Sequence, residues 1–217
     1  LALLGYREEV EAVLRTPSLS GISLLGLQDF PGQGTALVGM LDAHLKPKPY
    51  SFANPERFRA FFTDVLPLAQ LPRYTYRQQE RLQCEIQLAN YGKAEFSQSA
   101  TAVLSAGDAI FAEAVFPEKI YKAGTLTAAG RIDFPLQKVQ TPQKLCLTIT
   151  VGQACNRYPV WVYPTRMQTV ADGVIVTDQL HEALAYLQKG ACVLLDPPAD
   201  AAHFPQSIQA QFTTDFW

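Results

Sequence analysis

Gln28, Asp29 and Phe30 come closest in this chain to a set of residues that could bind a substrate. They follow a nearly continuous apolar run at 22–27 and precede a loop that contains two glycines. In folds built from alternating strands and helices, substrate contacts lie at the C-terminal ends of the strands. An aromatic ring there stacks on a sugar face, and a carboxylate binds hydroxyl groups. Their position alone makes these three residues candidates for substrate binding, but it favours the alternative that Asp29 only holds its loop by accepting hydrogen bonds from backbone N–H groups.

No other pattern in the sequence indicates catalysis, so we predict no catalytic residue, no metal and no cofactor. The histidines are far apart, without the spacing to cysteines or carboxylates that metal ligands show; they are His44, His181 and His203. The nucleophile elbow, the phosphate-binding loop and the zinc-protease motif are missing. A Gly-x-Gly at 32–34 lacks the third glycine of a dinucleotide-binding loop.

The charged residues predict ordinary solvated surface. Glu8, Glu9 and Glu11 fall largely on the polar face of a helix, which favours exposure. The net charge of −2 is spread along the chain without blocks, so we expect no nucleic-acid partner and no polybasic membrane anchor. No apolar run has the length of a membrane span.

The cysteines are predicted to be free thiols. Cys84 shares a strand face with apolar neighbours and should point into the core, whereas Cys146 alternates with leucines and should point away from it. Side chains on opposite faces cannot meet the geometry of a disulfide bond.

The first third of the chain has the pattern of a partial α/β repeat. Residues 4–15 carry apolar side chains on one face, which predicts an amphipathic helix ended by Thr16-Pro17. The run 22–27 predicts a strand buried on both faces, as in a parallel sheet. Residues 55–62 predict a short helix.

From about residue 74 to residue 164 the pattern changes to that of a β-sandwich. Apolar and polar residues alternate in runs that begin near 81, 101, 109, 131 and 144, with turn residues between them. After residue 172 a strand, a helix with Asp178 as its N-cap, a stop at Gly190 and a second strand predict a β–α–β unit. Two strands and one helix cannot close a core alone.

Several of these segments resemble bacterial enzymes related to glycoside hydrolase family 2, the β-galactosidase, β-glucuronidase and β-mannosidase group. The similar segments are residues 14–17, 21–36, 61–69, 89–92, 156–164 and 215–217. The resemblance identifies 21–36 as the last strand and loop of a sugar-cleaving (β/α)8 barrel, and 89–164 as part of the sandwich that follows it.

The resemblance implies a retaining mechanism with two glutamates, which belong to earlier barrel strands. No glutamate lies at a strand end before Gly21, so neither catalytic residue is assigned to this chain. The resemblance does imply a role for the residues at the end of the last strand: it identifies them as active-site lining, namely Gln28, Asp29 and Phe30. We also interpret both ends of the chain, Leu1 and the aromatic Phe216-Trp217, as cuts within a longer protein.

The resulting prediction is a mixed α and β chain, mainly β, in three parts. Residues 1–70 form the end of a glycosidase barrel, 71–164 an immunoglobulin-like sandwich, and 165–217 a partial flavodoxin-like α/β unit. We expect the chain to be inactive and structural, with a carbohydrate substrate in the full-length protein and association into homo-oligomers. For that parent we favour a periplasmic or extracellular location. The alternatives are a free-standing carbohydrate-binding or adhesion module and a small α/β enzyme with its own site.

Overall fold

A computed structural model describes residues 2–30, 32, 37–51, 53–165 and 172–197. The chain divides into two compact units, Leu1–Thr165 and Arg166–Trp217. The fold is mixed α and β and mainly β, as predicted. Among the described helices, none is long and apolar enough to cross a lipid bilayer.

The first unit contains two helices and eight strands within its described residues. In chain order they are α1 (Ala2–Leu14), α2 (Pro55–Arg59), β1 (Val65–Ala69), β2 (Thr75–Arg77), β3 (Arg81–Asn90), β4 (Phe96–Ala106), β5 (Ala109–Tyr121), β6 (Thr125–Pro135), β7 (Gln143–Val151) and β8 (Ala154–Tyr163). The predicted helix at 4–15 and the predicted strands of the sandwich are therefore present.

Two sheets enclose the main hydrophobic core of this unit. One has the strand order β1-β3-β6 and the other β2-β8-β7-β4-β5. Neighbouring strands are antiparallel except β2 and β8, which are parallel. Buried side chains alternate with exposed or half-buried ones along β3 and β7, so each sheet turns one apolar face to the core. Ile86 and Leu147 are examples, both fully buried.

The alternation of buried and exposed positions also determines which way the strand cysteines face. Cys84 is buried in the core, while Cys146 lies half-buried on the opposite face of β7 from Leu145 and Leu147, as predicted. All four cysteines are free thiols.

Strand β1 lies between two cores, because its alternate residues belong to different hydrophobic clusters. Leu66 and Leu68 pack with Val10 of α1 and with Phe61, whereas Ala69 packs in the sandwich core. Pro67 is tolerated because β1 is the edge strand of its sheet. β1 is thus a strand of the sandwich, although it lies within the segment 1–70 that the sequence assigns to a barrel end.

The predicted buried strand at 22–27 is wrong for this chain. These residues form no strand, and Leu25 is 95% exposed. Only one isolated parallel bridge, between Gln28 and Leu41, follows the run. The run is apolar enough for a buried strand, but within the described residues no neighbouring strand pairs with it, and an unpaired strand cannot satisfy its backbone.

Helix α2 is shorter than the predicted 55–62. Asn54 is its N-cap and accepts hydrogen bonds from the backbone N–H groups of Glu56 (2.7 Å) and Arg57 (3.4 Å), and Pro55 occupies the first turn. The helix ends at Arg59, before the aromatic pair Phe61-Phe62.

The second unit contains the predicted β–α–β element. Strands β9 (Val174–Thr177) and β10 (Cys192–Leu195) are parallel, and α3 (Leu180–Gln188) connects them. Gly190 adopts a φ of 78° just after the helix, which a residue with a side chain rarely adopts. Asp178 is not the N-cap as predicted: Gln179 occupies that position and makes no side-chain cap bond.

Candidate functional site

The predicted substrate-binding residues lie where the segment after Leu27 runs beside residues 39–41. The Asp29 N–H donates to the Leu41 carbonyl (2.9 Å), and the Leu41 N–H donates to the Leu27 carbonyl (3.0 Å). Gly39 lies very close to the backbone of Gln28: a Cβ at position 39 would be 2.3 Å from the Gln28 carbonyl carbon. Only glycine therefore permits this approach of two backbone segments.

The Asp29 carboxylate points into this loop and is almost fully buried, with 6% of the residue exposed. Its Oδ1 accepts a hydrogen bond from the Gly39 N–H (2.9 Å) and an ion pair from Lys48 Nζ (2.7 Å). Lys48 also donates to the Leu37 carbonyl (3.0 Å). These are the loop-holding contacts of the alternative interpretation of Asp29.

Gln28 and Phe30, unlike Asp29, are exposed. The Phe30 ring is 58% exposed and lies against Gly32, where a Cβ would come within 2.5 Å of the ring. Among the described residues, Asp29 is thus buried in loop contacts while its two neighbours are exposed. The rest of the predicted loop, residues 31 and 33–36, lies outside the described residues, as does the similar motif at 215–217. The substrate-lining role of the three residues stays a prediction.

A second constellation, which sequence reasoning missed, surrounds Glu11. Instead of being solvated, Glu11 is completely buried. Its Oε1 accepts from Arg7 Nε (2.8 Å) and Asn156 Nδ2 (3.0 Å). Its Oε2 accepts from Arg15 Nη2 (2.7 Å) and the Tyr158 hydroxyl (2.8 Å).

The network joins α1 to both sheets of the sandwich. Asn156 Nδ2 also donates to the Pro67 carbonyl (2.9 Å) of β1, and Arg15 donates to the Ala69 carbonyl (2.9 Å). The Ala69 N–H donates to the Tyr158 hydroxyl (3.1 Å). The helix is therefore attached by directional bonds as well as by apolar packing.

The electrostatics of the network follow from its burial. Burial disfavours the charge of Arg7, but the Glu11 carboxylate outweighs this, and the pKa of Arg7 is raised. Burial also raises the pKa of the Tyr158 phenol, with the charge of Glu11 acting in the same direction. The Arg7 guanidinium lies 4.3 Å from the centre of the Tyr158 ring, within the range of a cation–π contact.

Chemically, this arrangement holds the Glu11 carboxylate within a complete set of hydrogen bonds. Both carboxylate oxygens of Glu11 already hold two donors each, and no solvent reaches them. The signal that would have found the site is the spacing Arg7, Glu11, Arg15, since residues four apart lie on the same face of a helix.

The described part of the chain holds no cluster of three or more histidine, cysteine or acidic side chains that would bind a metal. His44 is exposed beside Asp42, which accepts a bond from its backbone N–H (2.8 Å). His181 is on α3 in the second unit, and His203 lies outside the described residues.

Comparison with known proteins gives a family match of limited extent. A domain of unknown function (DUF8488) matches residues 80–164, which run from the residue before β3 to the residue after β8. No curated protein matches the chain.

Several solved structures resemble part of the chain at low identity. The alkylpurine DNA glycosylase AlkC of Pseudomonas fluorescens is 12% identical with a TM-score of 0.36, covering 50% of this chain and 33% of its own. A β-glucosidase from Listeria innocua is 14% identical with a TM-score of 0.35; the match covers 47% of this chain and 16% of the β-glucosidase. The CARDB domain of a Pyrococcus furiosus protein is 9% identical with a TM-score of 0.37, covering 46% and 94%.

These neighbours include glycosidases, but at such scores the likenesses carry no argument about function. The chain spans a third of the glycosylase and less than a fifth of the β-glucosidase.

Proposed function

We propose that this chain is a non-catalytic part of a retaining glycoside hydrolase related to family 2. In this proposal residues 1–70 come from the end of the catalytic barrel, 71–164 form an immunoglobulin-like accessory domain to which β1 adds a strand, and 165–217 belong to a further α/β domain. The parent cleaves a carbohydrate substrate, and Gln28, Asp29 and Phe30 form one wall of its active site.

The observation that carries the proposal is the exposed apolar run before Gln28. Leu25 is 95% exposed, and Ile22 and Leu27 are 37% and 40% exposed, although the run has the composition of a buried strand. Leu37 and Val38 beside the loop are also exposed, at 62% and 63%. Exposed apolar residues in such a row favour a covering partner. The neighbouring strands of a barrel are a partner of the right kind, because they would pair with its backbone and bury its side chains.

The strand order supports the immunoglobulin-like assignment. β3 and β6 lie in one sheet while β4, β5, β7 and β8 lie in the other, so the chain crosses between the sheets after β3, β5 and β6, as in the Greek-key connections of that fold. A sandwich of this kind adds no reactive group by itself. Its role in the proposal is to support the barrel end through α1 and β1.

The second unit supports the proposal of a partial α/β domain. Of its described residues only Ala183 and Thr177 are buried, so its two strands and one helix leave their apolar faces largely uncovered. Val176, Leu187 and Leu194 are among those exposed. Uncovered apolar surface also favours the association of the isolated chain into homo-oligomers.

The test compares this chain with its full-length parent on a panel of nitrophenyl glycosides. We expect nitrophenol release by the parent alone, because both catalytic glutamates lie outside this chain. Release by the purified chain at a rate near that of the parent would overturn the proposal.

The parent's own upstream sequence provides an independent check. It should supply most of a barrel with two glutamates at strand ends, and replacing either by glutamine should abolish the activity. A parent that binds carbohydrate without hydrolysing any glycoside would instead favour the free-standing binding module.

A further inference from the structure

A groove of about 540 Å³ lies between α1, α2 and the start of β8, on the first unit. Three arginines line it, one from each of these elements: Arg7, Arg57 and Arg157. No aspartate or glutamate is among its lining residues. Convergence of three guanidinium groups without a facing carboxylate concentrates positive charge in one concave surface.

The acidic residue that contacts the groove arginines does not neutralise their positive charge. Glu11 pairs with Arg7, but the same carboxylate also pairs with Arg15, so one negative charge serves two positive ones. Among the described residues, the Arg57 guanidinium donates only to the Ser51 carbonyl (3.1 Å), and the Arg157 side chain makes no hydrogen bond or ion pair.

Arg7 is held in place before any ligand arrives. Its Nε donates to Glu11, its Nη2 donates to Asn156 Oδ1 (3.2 Å), and its guanidinium carbon lies 4.3 Å from the centre of the Tyr158 ring. These bonds use Nε and Nη2. A guanidinium that is already fixed in this way binds an oxyanion with little loss of side-chain entropy.

We propose that this groove binds the oxyanion of a small ligand, a carboxylate, sulfate or phosphate group. Arg7 is the fixed anchor, while the exposed Arg57 and Arg157 close on the anion from the two sides. The apolar wall formed by Leu4 and Phe61 accommodates the carbon skeleton that carries the anion. The inference stands on these contacts and does not depend on the proposed glycosidase origin.

Cys155 provides a reporter inside the groove, because this half-buried thiol is one of the lining residues. Alkylation by iodoacetate or iodoacetamide forms a bond from Sγ to the CH2 carbon as the C–I bond breaks; iodide leaves and the thiol proton passes to the buffer. The two reagents differ in charge. Their rate ratio at one thiol therefore reports local attraction for an anion and cancels differences in thiol reactivity.

The experiment measures that ratio at Cys155 and at the exposed Cys192 of the whole 217-residue chain by peptide mass spectrometry. We expect the iodoacetate-to-iodoacetamide ratio to be about fivefold higher at Cys155, the preference that one unit charge at a few ångströms gives in water. Equal ratios at the two thiols would overturn the proposal.

Matched variants identify the arginines responsible. Arg57→Gln and Arg157→Gln, both at exposed positions, should each lower the Cys155 ratio at least twofold. Arg59→Gln removes the same charge from the same helix but outside the groove, and Arg131→Gln does so on the sandwich; both should leave the ratio unchanged. An equal effect of all four variants would show that the preference for iodoacetate comes from the net charge of the chain, and would overturn the proposed site.

Protection by added ligands then separates the anion sources. Glucuronate, glucose 6-phosphate and inorganic phosphate are compared with neutral glucose for slowing the iodoacetamide reaction at Cys155. We expect slowing by the anions and none by glucose, with the organic anions effective at lower concentration than phosphate because of the apolar wall. Slowing by glucose to the same extent would contradict an oxyanion site.

Discussion

Glu11 carries its charge into a part of the protein that water does not reach. Such burial is costly, and it persists because two guanidinium groups, an amide and a phenol surround the carboxylate. A buried ion pair adds little net stability compared with apolar packing. Removing one partner, however, leaves the remaining charges without compensation, which is strongly unfavourable.

We therefore expect Glu11→Ala to lower the free energy of unfolding by about 3–5 kcal/mol. Glu9→Ala is the matched control, since Glu9 lies on the exposed side of the same helix, and it should change stability by less than about 0.5 kcal/mol. Urea unfolding followed by circular dichroism measures both. Equal effects of the two variants would mean that the network does not hold the helix.

Cys84 makes stability sensitive to alkaline pH. Burial raises the pKa of its thiol from 9.0 to about 12, against a lowering by Arg131. The unfolded thiol ionises above pH 9 while the folded one keeps its proton, so the unfolded state binds fewer protons there. Its contribution to stability is complete below pH 9 and is lost as pH rises towards 12.

Cys84→Val should remove this dependence while keeping an apolar side chain of similar size. Between pH 9 and 11 the free energy of unfolding of the unmodified chain should fall more steeply than that of the variant, by up to about 1.4 kcal/mol per pH unit. Urea titrations at several pH values measure the difference, with Cys192→Val as the control at an exposed thiol. Parallel curves for the unmodified chain and Cys84→Val would contradict the expectation.

At the scale of elements, β1 and the run at 22–27 have similar composition and opposite environments. Leu68 of β1 is fully buried between α1 and the sheet, whereas Leu25 contacts mostly solvent. The difference comes from pairing. β1 hydrogen-bonds to β3 along its whole length, from Val65–Asn90 to Ala69–Ile86, and the run at 22–27 has no such neighbour.

Leu68→Ala should therefore cost about 2–5 kcal/mol of stability, and Leu25→Ala less than about 0.5 kcal/mol, in this chain. In the proposed parent, barrel neighbours bury Leu25, and the same change should cost about 2 kcal/mol or more there. Thermal or urea unfolding of this chain and of the parent, each with and without the substitutions, measures these differences. A Leu25→Ala effect that is equally small in the parent would argue against a barrel strand.

The sequence predicts best those elements whose own pattern of apolar and polar residues shows which face is buried. Along β7 every second residue is apolar, so the inward face and the outward position of Cys146 follow from the period of two. The helix α1 follows from its period in the same way. The run at 22–27 differs, because its composition encodes a preference for burial but not the presence of a partner strand.

The candidate sites show the same limit at longer range. The spacing of Arg7, Glu11 and Arg15 shows that they share a helix face, yet their burial depends on Asn156 and Tyr158, whose positions no local pattern relates to α1. The arginine groove likewise combines three separate elements. Asp29 is identifiable as a polar residue after an apolar run, but its bond to Lys48 is not, since 18 residues of sequence separate them.

At the scale of the whole molecule, the two compact units differ in how much core their described residues form. The first has two hydrophobic clusters, while in the second only Ala183 and Thr177 are buried. Elements with few buried apolar contacts open more readily. Resistance to opening should therefore differ between the units.

Hydrogen exchange should detect this difference. We expect the backbone amides of β10, such as Val193 and Leu194, to exchange at least about tenfold faster than those of Leu147 and Ile149 in β7, which corresponds to about 1.4 kcal/mol in opening free energy. Exchange followed by mass spectrometry at neutral pH measures both sets in one sample. Equal protection of β10 and β7 would show that the second unit is as stable as the sandwich.

The bonds from Glu11 to Asn156 and Tyr158 span 145 and 147 residues of chain. During synthesis the helix therefore leaves the ribosome long before its polar partners exist. At about 5–20 residues per second, this interval is roughly 7–30 s. In that time Glu11 remains hydrated beside its two arginines, which makes α1 available to solvent and to chaperones. The packing of α1 on β1 can form early, whereas its bonds to the sandwich through Asn156 and Tyr158 require that β8 has been synthesised.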